Sequence, residues 1–312
     1  MKASTLGRFT VCAALAASLC SAAHGEAALG LHAGKDTQIA QYEEFSNWLG
    51  KTVLYRVTFD SDDSWNAIAS PYFLSATRQW LASNPQRHEV VSVPLVPKGS
   101  GSDTLSEVAA GKYDSYFRQL AQNLAGKTGA PDRIIVRLGW EPNGTWYAWS
   151  AVKSPDAYIK AFRRVVQTMR SVSKDLRFEW NVARTGAKGF DWTNAYPGDD
   201  VVDIVSMDVY DQYIHDWDDL LNGHQGLAFF RSFARQHHKP EAYAEWGLSN
   251  GSHGHGDNQA FVQHMHEWFV SGDVLYAAYW NTSSGGPDAA IEGRDAGKVP
   301  NSAQVFKSLF SR

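Results

Sequence analysis

The chain is predicted to fold as α/β, a closed (β/α)8 TIM barrel forming one domain over residues 26–312. Three observations carry this. Eight short, apolar, strand-like runs recur along the sequence, and amphipathic stretches of helical period separate most of them. A length of 312 residues with 44% hydrophobic content suits one barrel-sized core. The rival, an open doubly wound sheet, lacks its phosphate loop: Gly99-Ser100-Gly101 has no third glycine, and Gly285-Gly286 follows the last strand.

In order, Ala28–His32 reads as the first strand, residues 37–49 as a helix and residues 51–59 as the second strand. Residues 64–83 are helical with a break at Pro71, which cannot donate to a helix ladder. Residues 89–96 form the third strand, and 103–124 a long helix after the Gly-Ser turn. The fourth strand, Ile134–Leu138, is apolar except for Arg137. Ser154 caps the next helix and Pro155 takes its first position, and the helix runs to about Val172. Residues 177–182 and 201–209 are strands five and six, with only a short helical piece between them. A helix at 220–237, a strand at 241–246, a helix at 257–270, the strand Val274–Trp280 and a helix at 301–310 complete the pattern.

Residues 1–25 read as a secretory signal. Lys2 and Arg8 precede a short apolar run at 11–19, and Ala23-His24-Gly25 offers a cleavage site before Glu26. The run is too short to span a bilayer, so a secreted or periplasmic protein with no membrane span is expected. A lipid anchor on Cys20 is disfavoured by the bulk of Leu19. Cys12 and Cys20 both lie in this leader, so the remaining chain has no disulfide or thiolate chemistry. Without Lys2 and Arg8, 27 basic residues face 33 acidic ones, and no basic cluster suggests nucleic acid. A monomer without cofactor is expected.

The chemistry concentrates at the ends of the strands. After Ile134–Leu138, Gly139 relaxes the backbone, and Pro142 and Asn143-Gly144 turn it. Glu141 is thereby held at the lip of a buried strand among Trp140, Trp146, Tyr147 and Trp149. Aromatic surroundings solvate a carboxylate poorly, which raises its pKa, and their faces suit stacking with a sugar ring. The other strand ends carry Asp60, Trp180-Asn181, the run from Asp208 to Asp211 with Tyr210, Glu245-Trp246-Gly247 and Trp280-Asn281. In a barrel these ends share one face. Glu141 and Glu245 would then face each other across the mouth, as the two carboxyls of a glycosidase do. Glu141 suits the acid, and Glu245 the partner held by donors such as Arg137 and Tyr210.

The run RLGWEPNGTWYAW resembles the acid/base motif of glycoside hydrolase family 26, the β-mannanase family. AAGKYDSYFRQLAQNLAG resembles the helix before that motif, DIVSMDVYD the sixth strand and AEWG the nucleophile strand. The resemblance covers most of residues 29–280 in the family's order. It implies a retaining double displacement, with Glu141 as acid/base and Glu245 as nucleophile. It also implies that Arg137, Trp146, Asp208, Tyr210 and Trp280 line the subsite at the scissile bond, with Tyr210 on the nucleophile and Trp280 stacked on sugar. Trp140 and Trp246, the aromatic neighbours of the two glutamates, complete the expected sugar-binding set. Trp140 stands where the family usually has His, a departure that bears on sugar specificity.

The expected activity is endo-β-1,4-mannan hydrolysis. The alternatives are the same mechanism on β-glucan, β-1,3-xylan or a bacterial exopolysaccharide, or a barrel that binds carbohydrate without cleaving it. Retention of both glutamates argues against the last. His253 and His255 in a glycine-rich loop, with His264 and His266 beyond, read as a loop over the mouth rather than a metal site. His32 lacks the paired histidine of a metal-dependent barrel hydrolase. Asn143-Gly144-Thr145 and Asn281-Thr282-Ser283 match the glycan acceptor pattern but read as site residues.

Overall fold

The computed structural model describes residues 26–283, 286–293 and 297–311, so the expected leader and Gly285 lie outside the described residues. Eight parallel strands close into a barrel in sequence order. They are β1 (Ala28–His32), β2 (Tyr55–Phe59), β3 (His88–Val93), β4 (Ile134–Leu138), β5 (Arg177–Ala183), β6 (Ile204–Tyr210), β7 (Glu241–Gly247) and β8 (Val274–Trp280). The helices around them are α1 (Ala40–Leu49), α2 (Trp65–Ala69), α3 (Leu74–Ser83), α4 (Thr104–Ala109), α5 (Asp114–Thr128), α6 (Pro155–Arg170), α7 (Trp217–Asn222), α8 (Leu227–Gln236), α9 (Gln259–Val270) and α10 (Pro300–Phe310). None of the described helices is long and apolar enough to cross a membrane.

Strand alternation divides the core in two. Tyr55, Val57, Val90, Ile135, Ile204, Ala242, Ala244, Tyr276 and Ala278 fill the barrel's interior. The opposite faces of the strands pack against the helices. There α6 contributes Tyr158, Ala161, Phe162, Val165, Val166 and Met169, a stripe at helical spacing. Between the barrel and α3, Arg56 donates to both oxygens of Glu89 at 2.7 and 2.8 Å, and Thr77 Oγ1 accepts from Arg56 at 3.0 Å.

Two long expected helices are each two. The 103–124 stretch breaks at Gly111, whose φ of 85° leaves the helical region, giving α4 and α5. The 220–237 stretch breaks between Gly223 and Gly226, giving α7 and α8. β3 stops at Val93 because Pro94 has no N–H for the ladder. The pairing of β7 with both neighbours is irregular: register shifts lie between Ser206 and Val209 and between Tyr243 and Trp246. Such bulges re-aim side chains, and these flank Asp208 and Glu245.

β1 and β8 approach closely at Gly30, where an added Cβ would sit 2.8 Å from the Ala278 Cα. Gly30→Ala should therefore force the closing strands apart and cost about 1–3 kcal/mol. Urea unfolding checks this, and an unchanged midpoint would show that the seam yields freely.

Candidate active site

Strand alternation points Arg137, Asn181, Ser206, Asp208 and Tyr210 inward near the strands' C-terminal ends, and Glu245 joins them where the pairing of β7 shifts register. Arg137 is fully buried and joins them. Its Nη1 donates to Glu245 Oε1 at 2.7 Å and to Ser92 Oγ at 3.1 Å. Its Nη2 donates to Asn181 Oδ1 at 2.9 Å and forms an ion pair with Asp208. Tyr210 donates its hydroxyl to Glu245 Oε2 at 2.6 Å, so both oxygens of Glu245 are held. Asn181 in turn donates to Asp208 Oδ1 and to Ser206 Oγ, each at 2.9 Å.

Glu141 reaches this group from the turn after β4. Its φ is 49°, a left-handed conformation unusual for a side chain of this size. Its N–H donates to Asn181 Oδ1 at 3.2 Å. Trp146 Nε1 donates to Glu141 Oε2 at 2.8 Å while the indole stays 52% exposed. Asn143 fixes the turn by bonding both backbone groups of Ala183, at 2.7 and 2.9 Å.

Three carboxyls, Glu141, Asp208 and Glu245, thus lie around one guanidinium that bonds two of them, and one cation cannot balance three anions in a buried site. Burial, reinforced by the charge of Glu245, pushes the Glu141 carboxyl up to about 7. Burial also holds Asp208 well above the usual carboxylate range, against the pull of Arg137.

These groups open onto a cleft of about 1100 Å³ lined by Glu141, Trp146, Asp208, Tyr210, Glu245 and Trp280 among others. The Trp280 ring stacks on His32 at 4.1 Å. Of the expected set, all but two therefore line the cleft or, like Arg137, brace its carboxylates. Trp246 is a correction. Adjacent to the inward Glu245, it points outward and is 1% exposed between Tyr279, Phe269 and Phe306. Trp140 is a second correction. It lies in the turn after β4, where strand alternation no longer applies, and packs against Phe59 and Trp149, donating its Nε1 to the Tyr147 hydroxyl at 2.8 Å. Tyr147, not Trp140, forms the cleft wall.

Phe59, Arg184, Gln212 and Tyr213 also line the cleft and were not expected from sequence. Asn181 stood among the strand ends, and its inward parity, two residues after Glu179, was the signal for its role. Asp60 is buried outside the cleft wall, with its carboxyl pushed up to about 8 by burial. Asn281 bonds the backbone of Ile291 at 2.9 Å instead of lining the cleft.

The histidines expected in the loop have partners of their own. His253 stacks on Tyr213, His255 bonds Asp211 at 2.7 Å, His264 stacks on Trp217 and His266 meets the ring of Phe310. Among the described residues, no three His, Cys, Asp or Glu side chains form a group that could hold a metal ion.

A parallel barrel that presents two glutamates at the strand ends of one aromatic-lined cleft has the arrangement of a carbohydrate-cleaving enzyme. Residues 103–238 match the family model described as Glycosyl hydrolase family 26. Endoglucanase H of Acetivibrio thermocellus is 33% identical over 113 residues, which span 33% of this chain and 12% of that protein's length. Among solved structures, an endo-beta-1,4-mannanase double mutant from Cellulomonas fimi superposes with a TM-score of 0.67 at 18% identity, over 91% of this chain and 70% of that one. GH26C from Muricauda sp. superposes with a TM-score of 0.68 at 16% identity, over 93% and 86%. Bacillus subtilis mannanase man26 does so with a TM-score of 0.60 at 14% identity, over 90% and 84%. At these identities the structural likeness speaks for the fold alone, while the family model and the 33% identical segment liken part of the chain to glycoside hydrolases.

Arg137 is the group whose loss the site tolerates least. Arg137→Met should leave Asp208 and Glu245 buried without their cation and cost about 3–5 kcal/mol in denaturant unfolding. A loss below about 1 kcal/mol, the worth of an exposed pair, would show that the site is wetter than its burial implies.

Proposed function

We propose that the protein is a secreted, monomeric, retaining glycoside hydrolase of family 26, with endo-β-1,4-mannan as the first-choice substrate. One observation carries the mechanism. In a single cleft, Glu141 holds a proton near neutrality, while Glu245 has both oxygens fixed by Arg137 and Tyr210. Glu141 protonates the glycosidic oxygen as Glu245 attacks the anomeric carbon, and the leaving sugar departs with that proton. Glu245 is then esterified. Water, deprotonated by Glu141, breaks the ester and restores both groups, and two inversions give net retention.

The mannanases among the similar structures favour mannan, whereas the curated relative is an endoglucanase. Trp140 acts on specificity through Tyr147, to which it is bonded. Reducing-sugar release from β-mannan, β-glucan, β-1,3-xylan and a panel of bacterial exopolysaccharides tests the substrate. Release from none of them would remove the hydrolase reading.

The acid role has a pH signature. The Glu141 carboxyl is raised to about 7, so the protonated form needed for the first step is lost as the pH rises through that value. Turnover of a polysaccharide should fall about tenfold per pH unit above about 7. Glycosylation by an aryl glycoside with an acidic phenol, which leaves without a proton, should not fall. An alkaline limb shared by both substrates would assign it to another group.

The two glutamates are separated by azide, which needs no base. Glu141→Ala with the aryl glycoside should accumulate the glycosyl-enzyme, and azide should restore turnover to give a glycosyl azide of retained configuration, read by NMR. Glu245→Ala should be inactive without azide and give an inverted product with it. The opposite pair of anomers would exchange the two roles.

A further inference from the structure

The turn after β6 and the histidine loop hold one aromatic ring in the open, and the reaction chemistry gives that ring no role. Tyr213 is 60% exposed and lines the same cleft as Glu141 and Glu245. Its φ is 58°, a region that bulky side chains rarely adopt. The ring stacks on His253, at 4.7 Å between centroids and 29° between planes, and His253 itself has a φ of 70°. Two residues in unfavourable backbone conformations are therefore placed ring to ring.

Neighbouring contacts fix this arrangement. The Tyr213 N–H donates to His253 O at 3.1 Å, and Gln212 bridges antiparallel to Gly254. Asp211 accepts from Asn258 at 2.9 Å and bonds His255 at 2.7 Å. Gly254 leaves no room for a side chain, since a Cβ there would lie 2.2 Å from Ser249 O. The glycine-rich loop is thus a bracket that clamps the turn carrying Tyr213. Left-handed backbone at a bulky residue costs about 1 kcal/mol or more, and a ring that stays 60% exposed recovers little of it by burial. Strain that folding does not use is a mark of ligand contact.

We propose that Tyr213 is a stacking platform for a pyranose unit of the substrate chain beyond the units at the scissile bond, with His253 backing its far face. The apolar C–H face of a β-linked hexose matches an open aromatic ring, and the phenol is free to bond a sugar hydroxyl. This subsite rests on the glycoside hydrolase reading. It differs from the place of Trp146, whose indole is tied to Glu141.

Tyr213→Gly removes the ring and also suits the positive φ, so the variant should fold at least as stably as the parent. The kcat/KM of Tyr213→Gly on a β-1,4-mannohexaose should fall about tenfold more than on an aryl β-mannobioside, mostly through KM. Tyr213→Phe should keep most of the hexaose rate. Equal losses on both substrates, or none on either, would overturn the platform. If the parent cleaves neither, the choice of mannan fails separately. Electrophoresis through gels containing β-mannan, β-glucan or β-1,3-xylan then decides. Retardation of the parent that Tyr213→Gly loses supports the platform, and an equal or absent retardation overturns it.

Discussion

The buried guanidinium of Arg137 is the interaction on which the mouth of this barrel depends. It has no access to water, yet its donors reach four side chains from four strands, including two carboxylates on β6 and β7. A planar fork can bond several acceptors in fixed directions, which a lysine's single ammonium cannot. It therefore sets where Asp208 and Glu245 lie relative to one another, at the two strands whose pairing register is irregular. Asn181 extends the network to the backbone of Glu141. The strained turn after β4 is thus tied to the same cation through one amide.

Much of this was legible in the chain. The eight strands fall where short apolar runs predicted them, because a strand buried on both faces has few compositional alternatives. The glutamates, Arg137, Asp208, Tyr210 and Trp280 were legible because strand ends share one face in a parallel barrel. The helix splits at Gly111 and Gly223–Gly226 were missed because helical period continues across each break, and only the backbone shows the change. Trp140 and Trp246 were each grouped with the glutamate beside them, but Trp246 is turned outward where the pairing of β7 shifts register, and Trp140 lies in the turn after β4 bonded to Tyr147. Tyr213 had no signal, since a lone tyrosine in a polar turn becomes notable only when a loop some forty residues further on folds over it.

The left-handed residues link these observations. Glu141, Tyr213 and Gln225 all line the cleft, and His253 stacks against one of them. The cleft wall is built largely from turns between strands and helices, held by side-chain bonds such as those from Asn143 to Ala183. The barrel supplies rigid strand ends, and the turns supply the side chains that need unusual directions.

The nearness of Glu245 to Glu141 makes the site's electrostatics change during the proposed cycle. The negative charge of Glu245 is one of the two influences that keep the proton on Glu141. Once Glu245 carries the sugar as an ester, that charge is gone while Arg137 remains, so Glu141 releases its proton more readily at the moment when a base is required. The second half of the reaction is thereby prepared by the bond made in the first. No side chain has to move, and the covalent intermediate itself acts as the timer that converts an acid into a base.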